Sequence, residues 1–382
     1  MKFKIAGALV FIFGLFPICL EAQTIQKRQF SEMFDRWDKN GDNRVSSDEF
    51  PAALAHRFDS VDTNDDGFIS REEDAAYRNR RRGDDAPKKT AKTNRKPSLP
   101  DGIRLTPDIT YATISGRELK LDLYAPSSKP IVPKPVVMWI HGGGWKGGSK
   151  NNPRRALPLL KRGYVLVSVE YRLSGEAIFP AAIADCKAAV RWVRANAKEY
   201  GMDPNRVGAW GSSAGGHLVA LLGTAGDVAE WDAIHEENAG YSSRPDAVCD
   251  WFGPTDFLRM NDFPSKIDHN AKDSPESRFI GAEIQSVPKK TQRANPINFI
   301  SKQTPPFLIV HGDNDMSVCY NQSELLHEAL LKAGVPSRLY KVVGGGHGFR
   351  DAKNDTSDSL FKMAADFFDQ QFLAKPNQTL KQ

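Results

Sequence analysis

The pattern G-x-S-x-G at residues 211–215 places Ser213 between two glycines. A short apolar segment precedes it and small and aliphatic residues follow, which predicts a strand, a sharp turn and a helix. At such a turn the serine hydroxyl points out above the edge of a sheet, where it can act as a nucleophile. Glycine is needed on both sides because a Cβ would collide with the neighbouring strand or helix. The pattern alone also fits an ordinary Ser/Gly-rich turn.

A nucleophilic serine needs a base and an orienting acid, and both follow Ser213 in the chain order that this motif predicts. An apolar segment at residues 307–310 ends in HGDND, which supplies Asp313 and Asp315. A later apolar segment is followed by GGGHGF, which places His347 in a glycine-rich loop. Its imidazole can take the Ser213 proton, and a carboxylate on its other nitrogen would fix the tautomer. Taken alone, His347 also fits a solvated loop histidine.

Three consecutive glycines follow another apolar segment, in the sequence HGGGW at residues 141–145. A flexible turn would explain them, but glycines also expose backbone N–H groups with no side chain in the way. Acyl transfer passes through a tetrahedral oxyanion, which N–H donors from this loop and from Ala214 would stabilise. Loss of one such donor typically costs about 10²–10³ in rate.

The elements that would hold these residues alternate between apolar runs and amphipathic stretches after residue 101, which predicts a parallel sheet with helices on both faces. The predicted strands are residues 119–124, 136–140, 164–169, 207–210, 247–251, 307–310 and 339–343. The predicted helices are residues 181–199, 321–333 and 358–373. Runs that are apolar throughout, such as VVMWI, are typical of strands buried on both faces.

From about residue 106 to residue 373 the chain resembles an α/β-hydrolase. Within that fold it is similar to the esterases with an HGGGW loop, which include the hormone-sensitive-lipase-like group and the bacterial feruloyl and acetyl-xylan esterase group. The motifs that carry the resemblance are residues 141–145, 179–182 with Asp185, 211–215, 253–256, 311–315 and 346–349. The fold class that it implies is α/β, with a mostly parallel central sheet flanked by helices.

The resemblance implies a triad of Ser213, Asp315 and His347, because the acid of these esterases is the second aspartate of the HGDxD motif. Asp313 is therefore the weaker candidate. The oxyanion donors that it implies are the N–H groups of Gly143, Gly144 and Ala214.

The activity implied by the resemblance is serine-dependent hydrolysis of carboxylic esters, with acetyl or feruloyl groups on polysaccharide as the expected substrates and no cofactor for catalysis. Small esters are also possible substrates. One alternative is a dipeptidyl- or oligopeptidase-like hydrolase, although such enzymes usually carry a β-propeller that has no counterpart in this length or repeat pattern. A second alternative is a calcium-stabilised surface or scaffold protein with secondary hydrolase activity.

Ahead of this region, the chain turns acidic at residues 30–77 and contains two similar twelve-residue segments, at 38–49 and 62–73. Both resemble the EF-hand calcium loop, with oxygen-bearing side chains at positions 1, 3, 5 and 9, a carbonyl at position 7 and glutamate at position 12. The implied ligands are Asp38, Asn40, Asp42, the Arg44 carbonyl, Ser46 and Glu49, and then Asp62, Asn64, Asp66, the Phe68 carbonyl, Ser70 and Glu73.

Other positions of the two loops sharpen this resemblance. Val45 and Ile69 at position 8 predict a short β-bridge between the loops. Asn43 occupies position 6, where a left-handed backbone is needed and where asparagine is tolerated. The chain leaves room for only one helix between the loops, at residues 50–60, as in compact EF-hand repeats fused to some bacterial exported enzymes. A structural or anchoring role for Ca²⁺ is therefore expected rather than a switch.

The N-terminus has the composition of an export signal. Lys2 and Lys4 precede an apolar run at residues 5–20, and Ala22 offers a small residue at the cleavage point. Residues 1–22 are therefore predicted to be a signal peptide of a secreted or periplasmic protein. An uncleaved membrane anchor is the alternative, but the run is short for a span and contains Pro17.

The predicted organisation continues with an EF-hand module at 23–77, a basic linker at 78–100, the hydrolase domain at 101–376 and a tail at 377–382. The linker is rich in arginine, lysine and proline, which predicts disorder and offers attachment to a cell surface or polysaccharide. The net charge of +5 is modest for 382 residues and is concentrated in this linker, which argues against a nucleic-acid-binding fold. Cys186, Cys249 and Cys319 allow at most one disulfide between them.

Several conspicuous residues are expected to have structural roles. Trp145 and Trp251 should pack near the site, with contact to a substrate sugar or aryl ring as the alternative. His217 should pack or hydrogen-bond, and Asp256 should cap a helix or turn. Residues 231–241 and 263–298 are candidates for a roof over the site, although their path does not follow from the sequence.

Overall fold

The computed structural model of the chain describes residues 34–41, 43–46, 49–51, 58–62, 68–82, 99–151, 153 and 155–373. The chain divides into two units, residues 1–95 and 96–382. The predicted signal peptide, the tail and the linker from residue 83 to residue 98 lie outside the described residues. Within the part that is described, no helix is both long enough and apolar enough to cross a membrane.

The first unit is built around a short pairing of two strands. Its elements are strands β1 (Arg44–Ser46) and β2 (Phe68–Ser70) and helices α1 (Phe58–Val61) and α2 (Arg71–Arg82). The two strands pair antiparallel with Val45 opposite Ile69, which confirms the predicted bridge. Both side chains are fully buried in a small core that also contains Phe34, Phe50, Phe58 and Val61. Three acidic residues in the first turn of α2 complement its helix dipole.

Helix α2 runs through residue 82, so the segment predicted as a linker from residue 78 begins as helix. The basic composition of this segment predicts disorder, but arginine is a good helix former and continues a helix that has already begun.

The second unit contains an eight-stranded sheet in the order β10-β9-β8-β7-β5-β6-β4-β3. The strands are β3 (Ile103–Ile114), β4 (Arg117–Pro126), β5 (Lys134–Ile140), β6 (Val165–Val169), β7 (Met202–Ser212), β8 (Ala247–Trp251), β9 (Phe307–Gly312) and β10 (Ser337–Val342). The pairs from β10 to β6 are parallel, whereas β4 pairs antiparallel with both β6 and β3. The sheet is therefore mostly parallel, as predicted.

Helices cover both faces of the sheet. The α-helices of this unit are α3 (Ala181–Ala195), α4 (Ala197–Tyr200), α5 (Ala214–Thr224), α6 (Ala229–Asp232), α7 (Pro275–Ile280), α8 (Pro288–Gln292), α9 (Asn321–Lys332) and α10 (Ser357–Phe372). One core joins α3, α5 and α9 to the sheet, and a second core joins α10 to the opposite face. This arrangement confirms the α/β-hydrolase fold class.

The cysteines at positions 186, 249 and 319 are buried and form no disulfide.

Strand β3 is an element that the sequence analysis missed. It pairs along its length with β4 at the edge of the sheet, with two register irregularities. Its side chains are mostly exposed or half-buried, so they do not form an apolar run. It also contains Pro107, which a strand tolerates at an edge.

A buried ion cluster forms where α3 meets the end of β6. Asp185 is fully buried and accepts hydrogen bonds from the Arg172 guanidinium at both carboxylate oxygens. The Nε2 atom of His235 lies 2.7 Å from Asp185 Oδ1. Burial alone would raise the pKa of Asp185, but the hydrogen bonds from His235 and Arg172 hold it below its usual range. The carboxylate therefore stays ionised and neutralises the buried guanidinium.

Removal of this carboxylate should destabilise the fold. We expect Asp185→Ala to lower the free energy of unfolding by about 3–5 kcal/mol, because Arg172 would become an uncompensated buried charge. Urea denaturation followed by tryptophan fluorescence measures the change. Lys362→Ala is the control, since Lys362 forms an exposed ion pair with Asp366 on α10 and should matter little. Equal effects of the two substitutions would contradict the prediction.

Candidate active site and calcium-binding loops

Ser213 lies between the end of β7 and the start of α5, the strand–turn–helix arrangement that the sequence predicts. Its backbone adopts φ 54° and ψ −122°, a left-handed conformation that costs a residue with a side chain about 1–3 kcal/mol. The Ser213 N–H donates to the Trp251 carbonyl at 2.8 Å, and its carbonyl accepts from the His217 N–H at 3.0 Å. These hydrogen bonds hold the strained turn between β8 and α5.

The flanking glycines are required by close backbone contacts. A Cβ on Gly211 would overlap the carbonyl oxygen of Gly215 in the first turn of α5. A Cβ on Gly215 would overlap the carbonyl oxygen of Ile140 at the end of β5. In both cases the obstacle is backbone, which cannot move aside as a flexible side chain would. The predicted need for glycine at these two positions is confirmed.

The structure brings the three predicted side chains of the triad into one hydrogen-bonded chain. Ser213 Oγ lies 3.0 Å from His347 Nε2, and His347 Nδ1 lies 2.7 Å from Asp315 Oδ2. A carboxylate can only accept, so His347 carries its proton on Nδ1 and presents Nε2 as the acceptor of the serine hydroxyl. Asp315 follows β9 and His347 follows β10, so neighbouring parallel strands deliver both residues to the same edge.

Asp315 is held as an anion by a set of donors. Its Oδ1 atom accepts from the N–H groups of Ser317 and Val318 at 2.8 and 2.9 Å. Its Oδ2 atom faces two imidazoles, with His311 Nε2 at 3.3 Å and His347 Nδ1 at 2.7 Å. Burial alone would raise the pKa of Asp315, but the hydrogen bonds from His311 and His347 hold it well below its usual range.

His311 is a residue at the site that the sequence analysis did not single out. Its ring is fully buried, and its Nε2 atom lies 2.8 Å from the Val318 carbonyl oxygen and 3.3 Å from Asp315 Oδ2. The sequence feature that could have identified His311 is its position as the first residue of the HGDND motif, which also contains Asp315.

The other candidate acid, Asp313, has a different role. Its Oδ1 atom accepts from the Gly344 N–H at 2.6 Å, which ties the loop after β9 to the loop after β10. Of the two aspartates, Asp315 is the one that contacts the His347 imidazole, and its role as the acid of the triad stays a prediction.

The HGGGW loop lies directly beside Ser213. A Cβ on Gly142 would lie 3.4 Å from the Ser213 Cβ. Gly143 and Gly144 have φ values of 115° and 58°, in the region where side chains are rarely tolerated. Ala214 is the first residue of α5, where backbone N–H groups have no acceptor within the helix. The three predicted oxyanion donors thus lie on segments that adjoin Ser213, and their role stays a prediction.

Trp145 anchors this loop to the segment that follows β8. Its ring stacks on Phe279 of α7 at a centroid distance of 4.7 Å and makes edge contacts with His217 and Phe257. The Pro275 side chain lies against Gly144. Part of the predicted roof segment, from residue 263 to residue 298, therefore packs on the HGGGW loop. Trp145 and Trp251 are both 2% exposed, so these buried rings do not flank a substrate ring.

Two other residues have the structural roles that the sequence predicts. His217 Nε2 lies 2.7 Å from the Ala294 carbonyl oxygen, and burial lowers the pKa of His217 to about 4. A neutral, buried imidazole of this kind packs against Trp145 and Phe257 rather than acting as a second base. Asp256 caps the turn of helix at Phe257–Asp262 by accepting from the Leu258 N–H.

In the described part of the first acidic loop, N–H and hydroxyl groups of the loop donate hydrogen bonds to the loop's own carboxylates. Asp38 accepts from the N–H groups of Gly41 and Asn43 at 2.8 and 2.9 Å. Glu49 accepts from the Asn40 N–H and from both the N–H and the hydroxyl of Ser46. Asn43 has φ 62°, the left-handed conformation predicted for loop position 6. The carboxylates of Asp38 at position 1 and Glu49 at position 12 therefore both face the backbone of their own loop.

The second loop repeats this pattern. Glu73 accepts from the N–H and the hydroxyl of Ser70 at 3.0 and 2.9 Å. Asp62 and Glu73 are only 6% and 8% exposed. Carboxylates at loop positions 1 and 12 are hard oxygen donors of the kind that Ca²⁺ prefers, so the residues present fit that ion.

Part of the predicted calcium-ligand set lies outside the described residues, namely Asp42, Asn64 and Asp66. Among the residues that are described, no group of three or more His, Cys, Asp or Glu side chains could hold a metal ion.

The two candidate acids can be separated by matched substitutions. We expect Asp315→Asn to lower kcat by about 10⁴, because the amide would stabilise the wrong His347 tautomer and would not stabilise the imidazolium. Asp313→Asn should lower kcat by less than about tenfold, since its contact is to backbone. Steady-state hydrolysis of p-nitrophenyl acetate measures both. A larger loss in Asp313→Asn than in Asp315→Asn would reverse the assignment.

Two family models match the chain. The EF-hand model matches residues 30–51 and 54–73. The BD-FAE model matches residues 121–330, which is more than half of the chain.

Curated relatives include two esterases of Mycobacterium tuberculosis. Esterase LipC is 31% identical over 232 residues, covering 60% of this chain and 56% of its own length. Esterase LipQ is 30% identical over 273 residues, covering 69% of this chain and 61% of its own length. The chain therefore spans little more than half the length of the curated relatives that it matches.

The solved structures that resemble this chain also include esterases. A truncated carbohydrate esterase from gut microbiota is 34% identical with a TM-score of 0.62, covering 70% of this chain and 96% of its own. Esterase 2 of Thermogutta terrifontis with bound butyrate is 28% identical with a TM-score of 0.58, covering 72% of this chain and 96% of its own. The chain therefore belongs to the BD-FAE family of α/β-hydrolases, and it carries an EF-hand pair ahead of its hydrolase domain.

Proposed function

We propose that this protein is a serine hydrolase of carboxylic esters. The observation that carries the proposal is the continuous hydrogen-bonded chain from Ser213 Oγ through His347 to Asp315, built on a left-handed turn. Membership of the BD-FAE family and the esterases among the relatives support it.

In the first half of the reaction, Ser213 Oγ attacks the acyl carbon while its proton passes to His347 Nε2. The carbonyl oxygen becomes an oxyanion beside the HGGGW loop and the start of α5, where the N–H groups of Gly143, Gly144 and Ala214 would stabilise it. The bond from the acyl carbon to the alcohol oxygen then breaks. That oxygen takes the proton from His347, so the alcohol leaves neutral and the acyl group remains on Ser213.

In the second half, water attacks the acyl carbon while His347 Nε2 takes a proton from it. The bond between the acyl carbon and Ser213 Oγ breaks, and the proton returns to Oγ. The net change is ester plus water to carboxylic acid plus alcohol, with no oxidant or reductant. Asp315 stays ionised throughout and stabilises the imidazolium in both halves.

The proposed substrates are acyl groups on carbohydrate, with acetyl or feruloyl decorations of polysaccharide as the leading choice. Support comes from the solved carbohydrate esterase and from a bifunctional protein of Bacteroides eggerthii described as GH43-CE, which is also 34% identical. The predicted signal peptide at residues 1–22 would deliver the enzyme outside the cytoplasm, where such polymers are met.

We further propose that the acidic loops bind Ca²⁺ and that the bound ion stabilises the first unit. The supporting observations are the EF-hand match, the β1–β2 pairing and the buried carboxylates of Asp62 and Glu73. With Ca²⁺ bound, the unit and the basic linker would serve as an attachment to a cell surface or polysaccharide.

The catalytic proposal is tested by product release from acetylated and feruloylated polysaccharides. Ser213→Ala should lower kcat by about 10⁶, because the nucleophile is lost. Ser212→Ala is the matched control, since it removes the neighbouring hydroxyl and should change kcat by less than about tenfold. Acetate and ferulate are measured by chromatography. Turnover by Ser213→Ala equal to that of the wild type would refute the mechanism.

The calcium proposal is tested by titration calorimetry on the full chain. Glu73→Gln should weaken Ca²⁺ binding by at least about tenfold, because it removes the bidentate carboxylate of position 12. Glu72→Gln, at the exposed neighbour, should bind as the wild type does. Chelation of Ca²⁺ should lower the melting temperature of the first unit, since an ion at 100 times its Kd contributes about 2.7 kcal/mol.

Ester turnover in the same samples decides the role of the ion. A stabilising or anchoring role predicts no more than about a twofold change in kcat when Ca²⁺ is removed. A large loss of turnover in the full chain would show that Ca²⁺ binding is coupled to the active site.

A further inference from the structure

Residues 265–276 form a segment, the bridging segment, that begins against the loop that carries Asp315. The Ser265 hydroxyl and the Lys266 N–H both donate to the Met316 carbonyl oxygen, at 3.1 and 2.8 Å. Met316 directly follows Asp315, and the next two N–H groups along the chain are the donors to the Asp315 carboxylate. The start of the bridging segment therefore holds the turn that surrounds this carboxylate.

The bridging segment ends against the HGGGW loop. The Pro275 Cβ atom lies 3.3 Å from the place that a Cβ would take on Gly144. Just beyond the segment, Phe279 stacks on Trp145, the last residue of the HGGGW motif. One short segment therefore contacts both the loop of the proposed acid and the loop of the proposed oxyanion donors.

His269 joins the two ends of the bridging segment. Its ring is fully buried, and its Nε2 atom lies 3.1 Å from Ser265 Oγ, whereas its Nδ1 atom lies 3.0 Å from Glu276 Oε2. Its backbone is held as well, because its N–H donates to Asn261 Oδ1 at 2.9 Å and its carbonyl accepts from the Ser274 hydroxyl at 2.8 Å. One residue thus links the start of the segment to its end.

The set Ser265, His269 and Glu276 resembles a second triad, but the directions of its hydrogen bonds do not suit a nucleophile. A carbonyl oxygen can only accept, so the Ser265 proton points to Met316, and His269 Nε2 donates to Ser265 Oγ. The same Oγ accepts from the Ile267 N–H at 3.0 Å. The hydroxyl is therefore fully engaged, and the three side chains form a link within the segment.

The contact between His269 and Glu276 is electrostatic. The Nδ1 and Oε2 atoms are close but do not have the alignment of a hydrogen bond. Because Nε2 donates to Ser265, the contact is attractive when Nδ1 also carries a proton, as in an imidazolium, or when Glu276 carries one. In either form the pair has no net charge, which its burial favours.

We propose that His269 is a positioning residue for the reaction at Ser213, because it holds the bridging segment against the Asp315 loop and the HGGGW loop at once. This inference rests on the proposed ester hydrolysis and adds a residue that acts through other residues. A shift of about 1 Å in either loop would misplace a reacting group, and such a shift can cost about 10²-fold in rate.

The test separates hydrogen bonding from packing at position 269, with p-nitrophenyl acetate as the substrate. His269→Phe keeps a planar ring but has no donor, and it should lower kcat by about 10–100-fold with KM changed by less than about threefold. His269→Gln restores an N–H donor toward Ser265 and should keep kcat within about fivefold of the wild type. A packing role alone predicts the opposite order, because a phenyl ring suits a buried site better than an amide does.

Ser265→Ala tests the same link at a half-buried position, where the substitution should leave the fold intact. It should lower kcat by about threefold to tenfold, because the hydrogen bonds to His269 and Met316 are lost. His327→Phe is the matched control, since His327 Nδ1 lies 2.9 Å from Ser337 Oγ in a similar pair between α9 and the start of β10. This control should leave kcat as in the wild type. Melting temperatures above the assay temperature show that each variant is folded.

A wild-type kcat in folded His269→Phe and Ser265→Ala would overturn the inference, as would a lower kcat in His269→Gln than in His269→Phe. If His269→Phe does not fold, Ser265→Ala decides, and a kcat equal to that of the wild type overturns the inference.

Failure of the underlying function has a different outcome. If the wild type and Ser213→Ala hydrolyse p-nitrophenyl acetate equally poorly, the proposed ester hydrolysis fails, and the inference fails with it. If the wild type is active and Ser213→Ala is not, while the substitutions at His269 and Ser265 have no effect, the inference about His269 fails alone.

Discussion

The contact between the backbone of α5 and the backbone of β5 is the constraint on which the site depends. Gly215 lies so close to the Ile140 carbonyl that a side chain cannot be placed between them. This contact fixes where α5 begins, and so fixes the left-handed turn that presents the Ser213 hydroxyl. Parallel strands β9 and β10 end at the same edge of the sheet. Asp315 and His347 lie only a few residues beyond these strand ends, which places both side chains close to Ser213.

Much of this arrangement could be predicted from the sequence, because its determinants are local. The central strands are apolar runs that need no partner to be recognised, as at residues 136–140 and 247–251. The turn at Ser213 was predictable because glycines at positions 211 and 215 flank a serine between a strand pattern and a helix pattern. The EF-hand loops were predictable for the same reason, since their ligands are close in the chain.

The parts that could not be predicted depend on partners distant in sequence. Asp185 is paired with His235, 50 residues away, and no local pattern names that partner. The burial of Trp145 is decided by Phe279, on a short helix in a segment with little periodicity. Strand β3 was not predicted because an edge strand with exposed faces has no apolar pattern in its sequence. The strand is stabilised by its hydrogen-bonded pairing with β4.

The left-handed backbone of Ser213 also has a consequence for evolution and engineering. Glycine is the residue that adopts this conformation without strain, so Ser213, the proposed nucleophile, occupies a position where the fold alone would favour a residue with no side chain. Stability and activity are therefore opposed at one residue, and an inactive Ser213→Gly protein should tolerate more heat than the active enzyme. Searches for heat-resistant variants of this hydrolase should therefore screen for turnover as well as for folding.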